Sequence, residues 1–145
     1  MKAVAILPAK REIALIEVEP PGPVAPTQAK LRILDVGVCG TDREICSFQY
    51  ETPPDGSEHL IIGHESLGEV VEIGSHVSGL KPVVFGSVNA SRSNFQSAIS
   101  DLTAFNLMWP ASLSGLIAGR FAVEQYREHL LGPANGIKSV LSFAN

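Results

Sequence analysis

The sequence predicts a mainly β domain with helices in its C-terminal part, an α+β class. Three observations carry this expectation. Short runs rich in β-branched residues recur from Met1 to Gly74, cut by Pro and Gly clusters. From Ser91 onward the apolar residues fall at three- and four-residue steps, the period of a helix. At 145 residues, 45% of them hydrophobic, the chain can build one real core and is too short for two full-sized domains.

The elements follow in order. Met1–Leu7 and Glu12–Val18 are strand runs separated by Pro8-Ala9-Lys10-Arg11, a hairpin or meander pattern. Pro20-Pro21-Gly22-Pro23, with Pro26, lacks the donors a sheet needs and reads as a stiff surface connection. Leu31, Ile33, Val36 and Val38 mark another strand, ending at Gly37-Val38-Cys39-Gly40. Thr41-Asp42-Arg43-Glu44 has the form of a helix start, a hydroxyl three residues before a glutamate, with a short turn of helix through Cys46. Tyr50–Glu58 is a loop by its Pro, Asp and Gly content. Leu60–Gly63 and Leu67–Gly74 are two more strands, and Pro82–Val88 another. Many short strands with Pro/Gly turns make a small barrel or sandwich the default architecture. Phe95, Ala98, Ile99, Leu102 and Phe105 then form an amphipathic stripe, capped by Ser91 or Ser93, and Pro110 opens a short second helix. Val123–Leu131 is a third helix stopped by Gly132-Pro133, and Lys138–Phe143 alternates as a final strand.

Composition excludes several function classes. Net charge is −4, from 15 acids against 11 bases, and no basic patch marks a nucleic-acid face. The acidic excess lies within residues 1–81; residues 82–145 carry four bases and three acids. No apolar run reaches the roughly 20 residues of a membrane span, and Met1 leads straight into a strand without a signal-peptide pattern. Two cysteines, Cys39 and Cys46, are too few for a disulfide scaffold and fit a reducing cytoplasm.

Cys39 and Gly63-His64-Glu65 are the candidates for chemistry. Thiolate, imidazole and carboxylate are zinc ligands, and a catalytic zinc uses three of them and keeps a fourth position for substrate. Cys39 closes one strand and His64-Glu65 follows another, so two elements could converge on one ion. Glu65 serves as third ligand or as an acceptor behind the ligands. Spacing alone leaves Cys39 open to being a small buried hydrophobe, and His64 a solvated or satisfied side chain. Thr41 offers a hydroxyl that can take a proton from a substrate alcohol; it equally fits a plain helix N-cap, and both can hold at once. Asn89, just after a strand, offers a donor and an acceptor where loops meet ligands. His59 reads as a loop residue, His76 as a turn residue, His129 as a residue on the exposed face of a helix, Cys46 as core, and Phe105 and Trp109 as packing.

Gly37-Val38-Cys39-Gly40-Thr41-Asp42-Arg43-Glu44-Ile45, Gly63-His64-Glu65-Ser66-Leu67-Gly68 and Val70-Val71-Glu72-Ile73-Gly74 resemble the zinc-dependent medium-chain alcohol dehydrogenase superfamily, with the microbial glucose dehydrogenases the nearest branch. The resemblance covers residues 1 to about 81, the family's GroES-like catalytic barrel. Val84–Ser91, Asp101-Leu102 and Trp109-Pro110 resemble the family's C-terminal part, so that residues 82–145 would complete the same catalytic domain with helices packed against the barrel. It implies Cys39, His64 and Glu65 as catalytic zinc positions, Thr41 as proton-relay hydroxyl, and Asn89 near the nicotinamide and sugar. It also implies an alcohol or sugar substrate.

The sequence departs from the family where Gly79-Leu80-Lys81 runs straight into Pro82. Family members place a dinucleotide-binding Rossmann domain there, and no Gly-x-Gly-x-x-Gly occurs in these 145 residues. NAD(P) is therefore not expected to bind this chain well, and no turnover is expected from it alone. The family's four-cysteine structural zinc lobe is absent, and Glu44 stands where several relatives carry a proton-relay histidine. The alternative is a non-catalytic zinc- or sugar-binding module, or an oligomerising one. Apolar surface left by a missing neighbour, and unpaired strand edges, lead to the expectation of a homodimer or higher oligomer.

Overall fold

The computed structural model describes residues 1–49, 52–86, 91–133 and 136–144. Eight strands and four helices are assigned among them: β1 Lys2–Leu7, β2 Glu12–Glu17, β3 Ala29–Val38, α1 Gly40–Cys46, β4 Leu60–Ile61, β5 Glu65–Ile73, β6 Val83–Gly86, α2 Arg92–Met108, α3 Pro110–Ser114, β7 Ile117–Ala122, α4 Tyr126–Leu131 and β8 Lys138–Ser142.

The hairpin expected at the N-terminus is present. β1 and β2 pair antiparallel from Lys2↔Glu17 to Leu7↔Glu12 across a single 3-10 turn, Pro8–Lys10. β4 adds to the other side of β1 and completes a three-stranded sheet, β2-β1-β4. A second sheet has the order β6-β5-β3-β8-β7, antiparallel except for β7 and β8. In β3 the apolar positions step by two from Leu31 to Ile33 and again from Val36 to Val38, with a break of phase between. A bulge lies at that break, between Ile33 and Asp35, so the extra residue resets which face the side chains take.

The fold is the α+β arrangement that the sequence predicts, with two corrections. The described strands form two separate sheets and no closed barrel. β4 is only two residues long, and the proline-rich stretch after β2 supplies few donors, so neither gives the smaller sheet an edge that could complete a ladder with the larger one. The C-terminal helices also differ in their packing. α4 is docked, with Tyr126, His129 and Leu130 buried at helical spacing, whereas α2 and α3 contain no buried residue. The cap and stripe of α2 are as read: the Ser91 hydroxyl accepts from the Asn94 N–H at 3.4 Å. Its apolar face is turned to solvent, where Phe105 and Trp109 pack on each other with ring centroids 5.9 Å apart. β7 has no signature in the sequence, because Ile-Ala-Gly-Arg-Phe-Ala lacks a clear two-residue alternation of apolar side chains.

The core is built from Val4, Ile6, Ile13, Val38, Ile45, Cys46, Val123, Tyr126, Leu130 and Leu141, drawn from β1, β2, β3, α1, the turn before α4, α4 and β8. At about 25 cal/mol per Å² of apolar surface removed from water, burial of this set is the main driving force for the fold. Tyr126 Oη and Arg127 Nη2 both donate to the Ile13 carbonyl, at 3.2 and 2.7 Å, tying α4 to β2. Arg43 of α1 donates to the carbonyls of His129 and Gly132, each at 2.7 Å, which satisfies backbone acceptors at the end of α4.

His129 is corrected as well. It is buried rather than exposed and stacks on Phe121 at 3.6 Å between centroids. It lies three residues after Tyr126, on the face that α4 turns inward.

Candidate metal centre

β3 ends at Val38, and Cys39 is the N-cap of α1 in an extended conformation. The cap is therefore two residues earlier than the Thr41 position suggested by sequence. Asp42, three residues on, accepts the Cys39 backbone N–H at 2.8 Å through Oδ2. A carboxylate in the first turn suits the positive end of the helix. Thr41 lies inside that first turn, half-buried, and Glu44 is exposed.

From the other side, β4 leads through Gly63 to His64. Gly63 has φ +105°, and a Cβ there would lie 2.7 Å from Val36 Cγ1, so both backbone and packing require glycine. This bend delivers His64 and the first residue of β5, Glu65, to the end of β3.

The elements converge. His64 Nε2 lies 3.2 Å from Cys39 Sγ. One ligand atom each from Cys39, His64 and Glu65 lies within 4.8 Å of the others, and all three residues are half-buried. Asp42 stands behind the imidazole, 2% exposed, with Oδ1 at 3.4 Å from His64 Nδ1. That oxygen makes no hydrogen bond of good geometry among the described residues. With Nδ1–H turned to Asp42, the tautomer assigned from these partners leaves Nε2 bare and facing the sulfur, as a metal-ligating imidazole requires. Two ligands on one tetrahedral zinc stand roughly 3.5 Å apart, sulfur to nitrogen, close to the 3.2 Å found here. The donor set and its spacing fit zinc.

Glu65 has a second partner. Lys138 Nζ, from β8, lies 2.6 Å from Glu65 Oε2. Sequence reasoning singled out neither Asp42 nor Lys138. Asp42 is legible in principle, as a carboxylate one helical turn past a candidate ligand cysteine; Lys138 is 73 residues from Glu65 and only the sheet order unites them.

Cys46, the other cysteine, is buried in the core as expected, and burial pushes its thiol up to about 11. It stays protonated at neutral pH and is a packing residue. Asn89 lies outside the described residues. A cavity of about 830 Å³ lies between the two sheets, and none of Cys39, His64 and Glu65 lines it, although Gly63 does.

The family model for the alcohol dehydrogenase GroES-like domain matches residues 25–126. The chain belongs to that family. It is 46% identical over 81 residues to glucose 1-dehydrogenase 1 of Vulcanisaeta moutnovskia, covering 55% of this chain and 23% of that one. The figures are the same for a glucose 1-dehydrogenase of Thermoproteus tenax. Among solved structures, Haloferax mediterranei glucose dehydrogenase in complex with NADP, Zn and gluconolactone matches 67% of this chain and 28% of its own, at 30% identity and a TM-score of 0.51. This GroES-like chain thus spans about a quarter of the length of the relatives it matches.

Proposed function

We propose that this chain is the zinc-binding catalytic domain of an NAD(P)-dependent sugar or alcohol dehydrogenase, of the glucose-oxidising type. The observation that carries the proposal is the convergence of Cys39, His64 and Glu65 within 4.8 Å, with a buried carboxylate behind the imidazole. The Haloferax protein, described with NADP, zinc and gluconolactone, supports the choice of metal and of substrate class.

In this reading Cys39, His64 and Glu65 hold the ion, which when bound acts as a Lewis acid on a substrate oxygen. Thr41 Oγ1 takes the proton released by the substrate hydroxyl. Asp42, with Oδ1 3.4 Å from His64 Nδ1, orients the ring by its charge, and Asn89 is the residue expected near the nicotinamide and sugar. Residues 1–81 and 82–145 act as one catalytic domain; β8 pairing with β3, and β6 with β5, supports treating them as one body. Hydride transfer requires a nicotinamide held against the substrate, so these 145 residues depend on a nucleotide-binding unit for turnover.

The test is metal content with turnover. Protein purified without added metal is expected to carry about one zinc per chain by elemental mass spectrometry, and to show no NAD(P)-dependent glucose or alcohol oxidation alone. A zinc-free folded protein refutes the metal reading; steady turnover refutes the dependence on a partner.

A second reading, an interaction module, is favoured by α2. Ile99, Leu102, Phe105 and Trp109 lie on one apolar stripe and are 43–59% exposed. Surface of this kind marks contact sites, and we infer self-association into a dimer or higher oligomer. Sedimentation at high protein concentration is expected to show it, and a monomer throughout would exclude it. Neither nucleic acid nor membrane is a partner in either reading. A net charge of −4 supports the first exclusion; among the described residues no helix is long and apolar enough to cross a membrane. Two free cysteines support a cytoplasmic location.

A further inference from the structure

Glu65 and Lys138 are on strands that do not touch. β3 lies between them, with Glu65 opposite Gly37 on one side and Val140 opposite Gly37 on the other. The ion pair therefore spans a whole strand, and Gly37 is where it crosses. A Cβ on Gly37 would lie 2.9 Å from Glu65 Oε2 and 3.6 Å from Lys138 Cδ. Gly37 has no left-handed φ to explain its presence; the missing side chain is what leaves room for the carboxylate and the lysine stem.

We propose that Lys138 is a positioning residue for the metal centre: reaching over the gap at Gly37, it fixes the Glu65 carboxylate beside Cys39 and His64 and so raises the affinity of the site for a divalent metal. The inference rests on the metal reading above. A free glutamate side chain has several rotamers, and holding it in one lowers the entropy lost when it ligates. An ammonium near a dication also repels it. Lys138 and Glu65 are 29% and 38% exposed, so water screens that repulsion, while the ordering of the carboxylate is unaffected by screening. Hydrogen-bonded partners behind metal ligands are typically worth 10–100-fold in affinity.

The experiment is a competition titration of zinc against a chromophoric chelator, with cobalt(II) as a spectroscopic substitute that reports thiolate ligation by Cys39. Lys138→Met is expected to weaken zinc binding about 10-fold or more and to leave the thiolate-to-cobalt band in place. Lys138→Arg should restore affinity, because it keeps a cationic donor at the same reach. In a Glu65→Gln background, Lys138→Met should have no further effect. Gly37→Ala should weaken binding with Lys138 intact. Unchanged or increased affinity in Lys138→Met, or an equal loss in the Glu65→Gln background, overturns the inference while leaving the metal reading in place. A wild-type chain that binds no zinc overturns both.

Discussion

Replacing Cys39 by serine is expected to empty the metal centre. Zinc content should fall from about one per chain to background, and His64→Ala should do the same. The thiolate supplies the ligand charge, and a serine hydroxyl is a far poorer ligand at neutral pH. Both side chains are half-buried and belong to no core cluster, so circular dichroism of the variants should match the parent. Cys46→Ala is the control. Its thiol is buried among core residues and protonated at neutral pH, so this variant should lose some stability and keep its zinc. Zinc retained by both Cys39→Ser and His64→Ala would place the ion elsewhere.

The second large effect is expected at Asp42. This carboxylate caps α1 through the Cys39 N–H and faces His64 Nδ1 from a fully enclosed position. Asp42→Ala removes both contacts, leaves a part-buried backbone donor without its acceptor and opens a small void. A loss of about 1–3 kcal/mol is expected for the unsatisfied donor, read as a lower midpoint in urea denaturation. Zinc affinity should fall about 10–100-fold with it, since the imidazole loses the partner that sets its tautomer. Asp42→Asn separates the two roles. Its carbonyl oxygen can still accept from Cys39, recovering much of the stability, but its amide cannot hold Nδ1–H, so the affinity stays low. Parent-like zinc binding by Asp42→Asn would show that Asp42 only caps the helix.

Much of this architecture is written locally in the chain. The hairpin Lys2–Glu17 follows from two β-rich runs around Pro8, and α2 from a stripe that starts at a serine cap; each depends on neighbours in sequence. The corrections concern what the elements meet. A stripe such as Phe95–Phe105 announces that a helix has an apolar face, and is silent about whether anything covers it. The inward face of α4 is hidden at His129, because an imidazole is polar enough to read as solvated, yet it stacks on Phe121. In the metal centre, Cys39, His64 and Glu65 were legible from residue type and from a family resemblance. Their convergence depends on β3 and β5 pairing in one particular register, Gly37 against Glu65, which no local pattern states. Lys138 is reached only through β8, which joins the other edge of β3.

The placement of β8 in the sheet has a consequence for the order of events during synthesis. β3 pairs Val36 with Leu141, across about 100 residues of intervening chain. β7, paired to β8 alone in this sheet, has no place until β8 arrives. A ribosome would have released the chain from Val36 through Leu141 before that edge of β3 could be covered. Until then Cys39 stands at the end of a strand with an open side, and Glu65 has no lysine to hold it. An ion held by Cys39, His64 and Glu65 would thus be a late arrival, captured only after β8 has joined the sheet.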